Sequence, residues 1–268
     1  MRNPLSNEAA TMENTYGATP LHTACAQPSV AHSIANVEAL GTTGAALKQD
    51  RMKRTALHVA VQNVHTTGKM IQFLCELNPA ATASKTQRGH LPLHLAAQSL
   101  APEPAVKALI RADRKATEAR NKSSNTPLHD AAKYGAPAGV VKLLIDTYPD
   151  AVLMQNKYGN LPLHCATSQK ASNDVVALLI HAWPQGASVQ NKSQDTPLHY
   201  AAAYSGSLSA IQQILEAAPA TVLKANSSGQ SPVDRARSNN APGAIIDLLE
   251  AAAHNVARQT PSGGWKTF

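Results

Sequence analysis

The sequence predicts an all-α solenoid of stacked helix-turn-helix units joined by extended, hairpin-like loops. Three observations predict it. A tetrapeptide of the type Thr-Pro-Leu-His recurs seven times in register. Each copy is followed by an apolar doublet at helical spacing. A proline then recurs at a fixed distance, where it would stop that second helix.

The tetrapeptide occupies Thr19–His22, Thr55–His58, Leu91–His94, Thr126–His129, Leu161–His164, Thr196–His199 and Ser231–Asp234. The final positions 22, 58, 94, 129, 164, 199 and 234 advance by 36, 36, 35, 35, 35 and 35, a register that chance does not keep. Thr126 is placed to cap free backbone N–H groups, and Pro127 suits the first helical position, where no N–H is needed. Leu128 then faces inward. Leu91 and Leu161 stand where the other copies carry a hydroxyl, so those two helices are expected to start less firmly.

The second signal is Val140, Val141, Leu144 and Ile145, repeated as Val175, Val176, Leu179 and Ile180, one buried face of a short helix. Pro149, Pro184 and Pro219 end those helices, with Tyr148 and Trp183 beside them to cover the helix end. Asn-Lys at 121, 156 and 191 then opens a polar, turn-prone stretch.

With these residues in hand, the chain resembles the ankyrin repeat, whose T-P-L-H-x-A signature is met closely by Thr126–Ala131 and Thr196–Ala201. The units are longer than the usual repeat of about 33 residues. Val140, eleven residues after His129, suggests one extra residue between the helices and another after the second. The resemblance implies an ankyrin solenoid whose motif histidines hydrogen-bond within and between units, whose loop tips and first-helix ends form a concave binding surface, and whose role is protein binding.

Three segments follow. Residues 1–14 read as the outgoing loop of a preceding unit, because Asn7–Gly17 aligns with Pro149–Gly159 through Ala9/Ala151, Met12/Met154, Asn14/Asn156, Tyr16/Tyr158 and Gly17/Gly159. Residues 15–254 form the repeat domain. Its first unit is the least regular, with Ile34, Val37 and Leu40 on the second helix and Gly41 and Gly44 expected to loosen the exit. Units three to six are the most regular. The seventh carries Asp234 for His and mixes Asp247, Glu250 and His254 among apolar residues, as a terminal unit should. Residues 255–268, ending in Gln-Thr-Pro-Ser-Gly-Gly and two aromatics, read as a flexible tail.

Aromatic residues make up only 4% of the chain, which suits thin layers of Ala, Val, Leu and Ile. Lys and Arg exceed Asp and Glu by 24 − 17 = 7, which favours acidic partners. Cys25, Cys75 and Cys165 form no CxxC and read as reduced core residues of a cytoplasmic or nuclear protein. The sequons at Asn121, Asn191 and Asn226 are by-products of the repeat, expected to stay bare. Nothing resembles a signal peptide, and no run is long enough to span a membrane.

Catalysis and metal binding find no support. Histidines on successive packed helices stand roughly 10 Å apart, whereas a Zn–N bond is about 2 Å. His90 and His94 are four apart, but His90 precedes its helix. No H-E-x-x-H, Walker loop or G-x-S-x-G is present, and no cofactor is expected.

The informative variation lies where the scaffold leaves side chains free. Seven residues before the motif position come Thr15, Arg51, Gln87, Lys122, Lys157, Lys192 and Ser227, and the next position adds Met52, Arg88, Tyr158 and Ser193. Stacking would align these as a basic ridge. Five residues after the motif position come Gln27, Asn63, Ser99, Tyr134, Gln169, Tyr204 and Asn239, with Lys133 beside Tyr134. The candidate contact residues are therefore Arg51, Arg88, Lys122, Lys133, Tyr134, Lys157, Tyr158, Lys192 and Tyr204. The expected function is a non-catalytic, monomeric scaffold that binds an acidic segment of a partner protein. The alternative is the regulatory or targeting region of a larger enzyme, a kinase or ubiquitin ligase, suggested by the start on an outgoing loop. Lysines spread about one per unit, without clustered arginine or interleaved stacking aromatics, argue against nucleic acid.

Overall fold

The computed structural model describes residues 7–27, 30–63, 65–168, 171–204 and 207–259. Seven helix pairs stack in one direction. The first helices are Pro20–Ala26, Ala56–Gln62, Pro92–Gln98, Pro127–Tyr134, Pro162–Thr167, Pro197–Ala203 and Pro232–Ser238. The second helices are Val30–Leu40, Gly68–Leu77, Glu103–Ala112, Ala138–Thr147, Asn173–Ala182, Leu208–Ala217 and Gly243–Gln259. First helices pack on first helices and second on second, each against its neighbours in the array. Among the described residues no strand is present.

Alanine builds the core as the composition implies. Ala131, Ala132, Ala201 and Ala202 are fully buried between Leu128, Val141, Leu198 and Ile211. Small side chains let neighbouring helices approach closely, and the branched residues then fill the layer between them.

The helix starts work differently from the expected cap. Thr126 Oγ1 bonds His129 Nδ1 at 2.9 Å and caps no backbone amide. His129 Nδ1 is what accepts the Thr126 backbone N–H, at 3.2 Å. Because the imidazole does the capping, Leu91 and Leu161 lose only the hydroxyl contact: His94 and His164 accept their N–H groups at 3.2 Å as well. Both leucines are buried, so these starts are not loosened in the way the sequence suggested.

Pro149, Pro184 and Pro219 each open a short 3-10 turn, Pro149–Leu153, Pro184–Ser188 and Pro219–Leu223, that follows directly on the second helix. Tyr148 and Trp183 cap the helix ends and pack on the core, as expected. Asn7–Thr11 forms a helical turn where the aligned Pro149–Leu153 does, and it packs on its counterpart in the next unit, Thr43–Leu47. The exit of the first unit is built rather than loose. A Cβ at Gly41 would lie 2.9 Å from Val37 O of its own unit, 3.0 Å from Leu77 Cδ2 and 3.2 Å from Phe73 Cε1, so this glycine fits both its own helix end and the second helix of the next unit. Gly44 sits within a turn whose cap, Thr42 Oγ1, accepts the Ala45 N–H. The side chain of Ile34 lies outside the described residues, as does Gln169. The last helix continues through Gln259, past the boundary at 255, and the remainder of the tail lies outside the described residues.

Candidate partner-binding surface

Each loop is a tight five-residue turn with the same wiring. Asn121 N–H donates to Asn125 O, and the Asn121 Oδ1 accepts the N–H groups of Ser123 and Asn125. Asn14, Asp50, Asn156, Asn191 and Asn226 repeat this arrangement, while Thr86 makes one of the two side-chain bonds. The fourth residue of every turn has positive φ: Gly17, Lys53, Gly89, Ser124, Gly159, Gln194 and Gly229. The sequon asparagines 121, 191 and 226 are buried, with their side-chain amides donating inward, so they are structural.

Two ladders then bind each loop to its neighbours. Arg51, Gln87, Lys122, Lys157, Lys192 and Ser227 donate their backbone N–H groups to Tyr16, Met52, Arg88, Ser123, Tyr158 and Ser193 O, at 2.9–3.1 Å. The motif histidines supply the other. His22, His58, His94, His129, His164 and His199 donate Nε2–H to the carbonyls of Arg54, His90, Asn125, Asn160, Asp195 and Gln230, in the loop of the following unit. A carbonyl only accepts, so the ring proton sits on Nε2 and Nδ1 is left to accept the cap N–H. Burial pushes His58, His94, His129 and His164 down to about 4, so they are neutral at pH 7. Asp234, in the seventh unit, performs the local half, accepting from Ser231 N–H and Oγ–H.

The candidate contact residues fall in two places. Arg51, Arg88, Lys122, Lys157, Tyr158 and Lys192 are exposed on the tip row. Among the described residues none of these cations has a carboxylate at salt-bridge distance, whereas Arg54 behind the row is held by Asp50 at 2.7 Å. Lys157 Nζ lies 5.6 Å from the Tyr158 ring centre, and Lys133 Nζ lies 5.4 Å from that of Tyr134. Tyr134 and Tyr204 are exposed at the ends of their first helices, Tyr204 with its ring 5.9 Å from Tyr200.

Between tips and helices runs a groove. At the second and third units it is lined by Met52, Arg54, Gln87, Arg88 and His90 from the loops and by Gln62, Leu95 and Gln98 from the helices. Leu95, in the position just after the motif histidine, lines this groove, and sequence reasoning passed that position over. It holds Thr23, Val59, Leu95, Asp130, Cys165, Tyr200 and Arg235, a variability at fixed register that could have flagged it. Tyr200 is half-buried, its hydroxyl donating to Asn160 Oδ1 at 3.3 Å and its ring edge-on to His164. Asp130 is 1% exposed and takes Asn125 Nδ2–H at 3.0 Å, and burial pushes its carboxyl up to about 6.

Among the described residues no three His, Cys, Asp or Glu side chains cluster as metal ligands, and the His90 and His94 rings stand 5.9 Å apart as a tilted pair. Burial pushes the three thiols up to about 12, so Cys25, Cys75 and Cys165 are inert packing residues. Among the described residues no helix is long and apolar enough to cross a membrane.

A stack of helical hairpins tied loop to loop, with variable side chains confined to one edge, defines a repeat solenoid of the protein-interaction class. Comparison with known proteins agrees with this geometry. The sequence family described as ankyrin repeats (3 copies) matches residues 93–192. The solved ankyrin repeat domain of Bcl-3, a member of the IkappaB protein family, superposes with a TM-score of 0.64 at 25% identity, covering 87% of this chain and 99% of that one. No curated protein sequence matches the chain. The chain has the fold of an ankyrin repeat solenoid, and its middle units match the family's repeats.

Proposed function

We propose that the chain is a non-catalytic adaptor whose groove and basic tip row hold an acidic segment of a partner protein. One observation carries the reading: the inter-loop ladder sets Lys122, Lys157 and Lys192 on consecutive tips, with Arg51 beyond Gln87, all exposed and without carboxylate partners among the described residues. A row of uncompensated cations on a rigid backbone attracts a complementary acidic chain and fixes its register. Tyr158 on the tip row and Tyr134 and Tyr204 at the first-helix ends, rigid and amphipathic, serve as contact anchors on the two sides of the groove. The buried free thiols and buried sequon asparagines suit a cytoplasmic or nuclear protein, and the adaptor is read as acting as a monomer.

The test is affinity capture from lysate with Lys157→Glu/Lys192→Glu and with Tyr204→Ala. These side chains are exposed, so melting should stay within about 2 °C of the parent. Capture of the principal partner should fall at least about tenfold, and the parent's capture should weaken with added salt. Unaltered capture by both variants would remove the groove and tip row from the reading.

A further inference from the structure

A second hollow lies beside the groove and is lined by loop residues alone. Lys53, Lys85, Arg120 and Lys122 surround it, together with Thr86 and Gln87, which it shares with the groove. No carboxylate lines it, and among the described residues none of the four cations is in a salt bridge. Arg120 is held in place, its guanidinium donating to Gln155 O at 3.1 Å and touching Met154 Sδ.

The repeat itself supplies the control for this cluster. At the register of Lys85 and Arg120 the other units carry Glu13, Gln49, Gln155, Gln190 and Ala225. At the register of Lys53 they carry only glycine, Ser124 or Gln194. The scaffold therefore needs no cation at either position, and Gln190 makes the same inter-unit bond as Arg120, donating Nε2–H to Ala225 O at 3.2 Å. Four cations meet in one place because three neighbouring units each depart from the neutral pattern there. One carboxylate offers two oxygens. A phosphate monoester offers three strong acceptors and a charge near −2, and so suits such a ring better.

We propose that this hollow binds the phosphate of a phosphoserine or phosphothreonine in the partner segment. The proposal rests on the reading that a protein segment lies along the groove, since the shared Thr86 and Gln87 put the hollow within reach of a chain seated there. Recognition would then be switched by modification of the partner, with the remaining tip contacts giving a weaker, phosphate-independent affinity.

The experiment uses the full chain and two immobilised peptide libraries of random flanking sequence, one with a central phosphoserine and one with serine. The parent should bind the phosphorylated library at least about tenfold tighter. Lys85→Gln/Arg120→Gln, which installs residues the chain already uses at this register, should bring the two libraries within about twofold. Lys157→Gln/Lys192→Gln, an equal loss of charge elsewhere, should keep the preference. Equal binding of both libraries by the parent overturns the proposal, as does a preference lost equally in both variants or untouched in the first. Tighter retention on RNA or on anionic lipid vesicles than on the phosphorylated library also overturns it. The groove test reads capture of the partner through Lys157, Lys192 and Tyr204, whereas this one reads a phosphate preference through Lys85 and Arg120, so either can fail while the other stands.

Discussion

At the scale of single residues, the motif imidazole decides most. His129 accepts one backbone N–H of its own unit and donates to a carbonyl of the next. His129→Ala orphans the buried Thr126 N–H and opens a void, and should cost about 2–4 kcal/mol in urea unfolding; a cost within error of zero would deny the imidazole its structural role. The same burial sets a pH dependence. Four histidines have folded pKa values near 4 against 6.5, so the unfolded chain binds more protons between those values. Their stabilisation is full above pH 6.5 and is lost as pH falls toward 4, at up to about 1.4 kcal/mol per pH unit for each. Asp130 runs the other way. Its carboxyl is raised from 3.8 to about 6, so its contribution is present at low pH and lost as pH rises through 6. Four groups outweigh one, and urea midpoints should drop steadily from pH 7 to pH 4.5. Asp130→Asn mimics the protonated acid, so it should stabilise the chain at pH 7.5 and lose that gain progressively as pH falls from 6 toward 3.8. A parent stability flat across this range would mean the buried rings accept protons within the fold.

At the scale of elements, the loops are where backbone geometry is most demanding. Gly159 has φ of 78°, and a Cβ there would lie 2.7 Å from the Lys192 backbone nitrogen in the next loop. Gly229 has φ of 72° with nothing within 4 Å. Alanine at 229 should therefore cost only the left-handed conformation, about 1 kcal/mol, whereas at 159 it must also push neighbouring loops apart and cost more than about 2 kcal/mol. Equal costs would show that the inter-loop contact bears no energy. The helices and the tip positions were legible in the sequence because both recur at a fixed count from the motif histidine. What escaped was set by neighbours rather than by local pattern. The imidazole displaces Thr126 as the cap because its other nitrogen is held by the next loop. Gly41 is small for the sake of Leu77 and Phe73, distant in the chain. Asp130 is held by Asn121 and Asn125 of its own loop, and Tyr200 by Asn191 of its own loop and Asn160 of the loop before, ties that spacing from the motif histidine does not show.

At the scale of the whole molecule, each unit leans mainly on the next, so stability divides into unit terms and junction terms rather than residing in one shared core. Every junction from the first unit to the last repeats the same two backbone-directed ties, one from a motif histidine and one between loop tips. A lesion at one junction should then be felt locally. Gly159→Ala strains the contact between the fifth and sixth loops, so amide exchange should quicken first at Lys192, whose N–H is held by Tyr158 O, and next in the helices of the fifth and sixth units. The second to fourth loops, and with them the hollow around Lys85 and Arg120, should keep their protection and their phosphoserine preference. Uniform acceleration of exchange from the first unit to the seventh would show instead that the array opens as a single cooperative body, and would tie ligand recognition at one end to packing at the other.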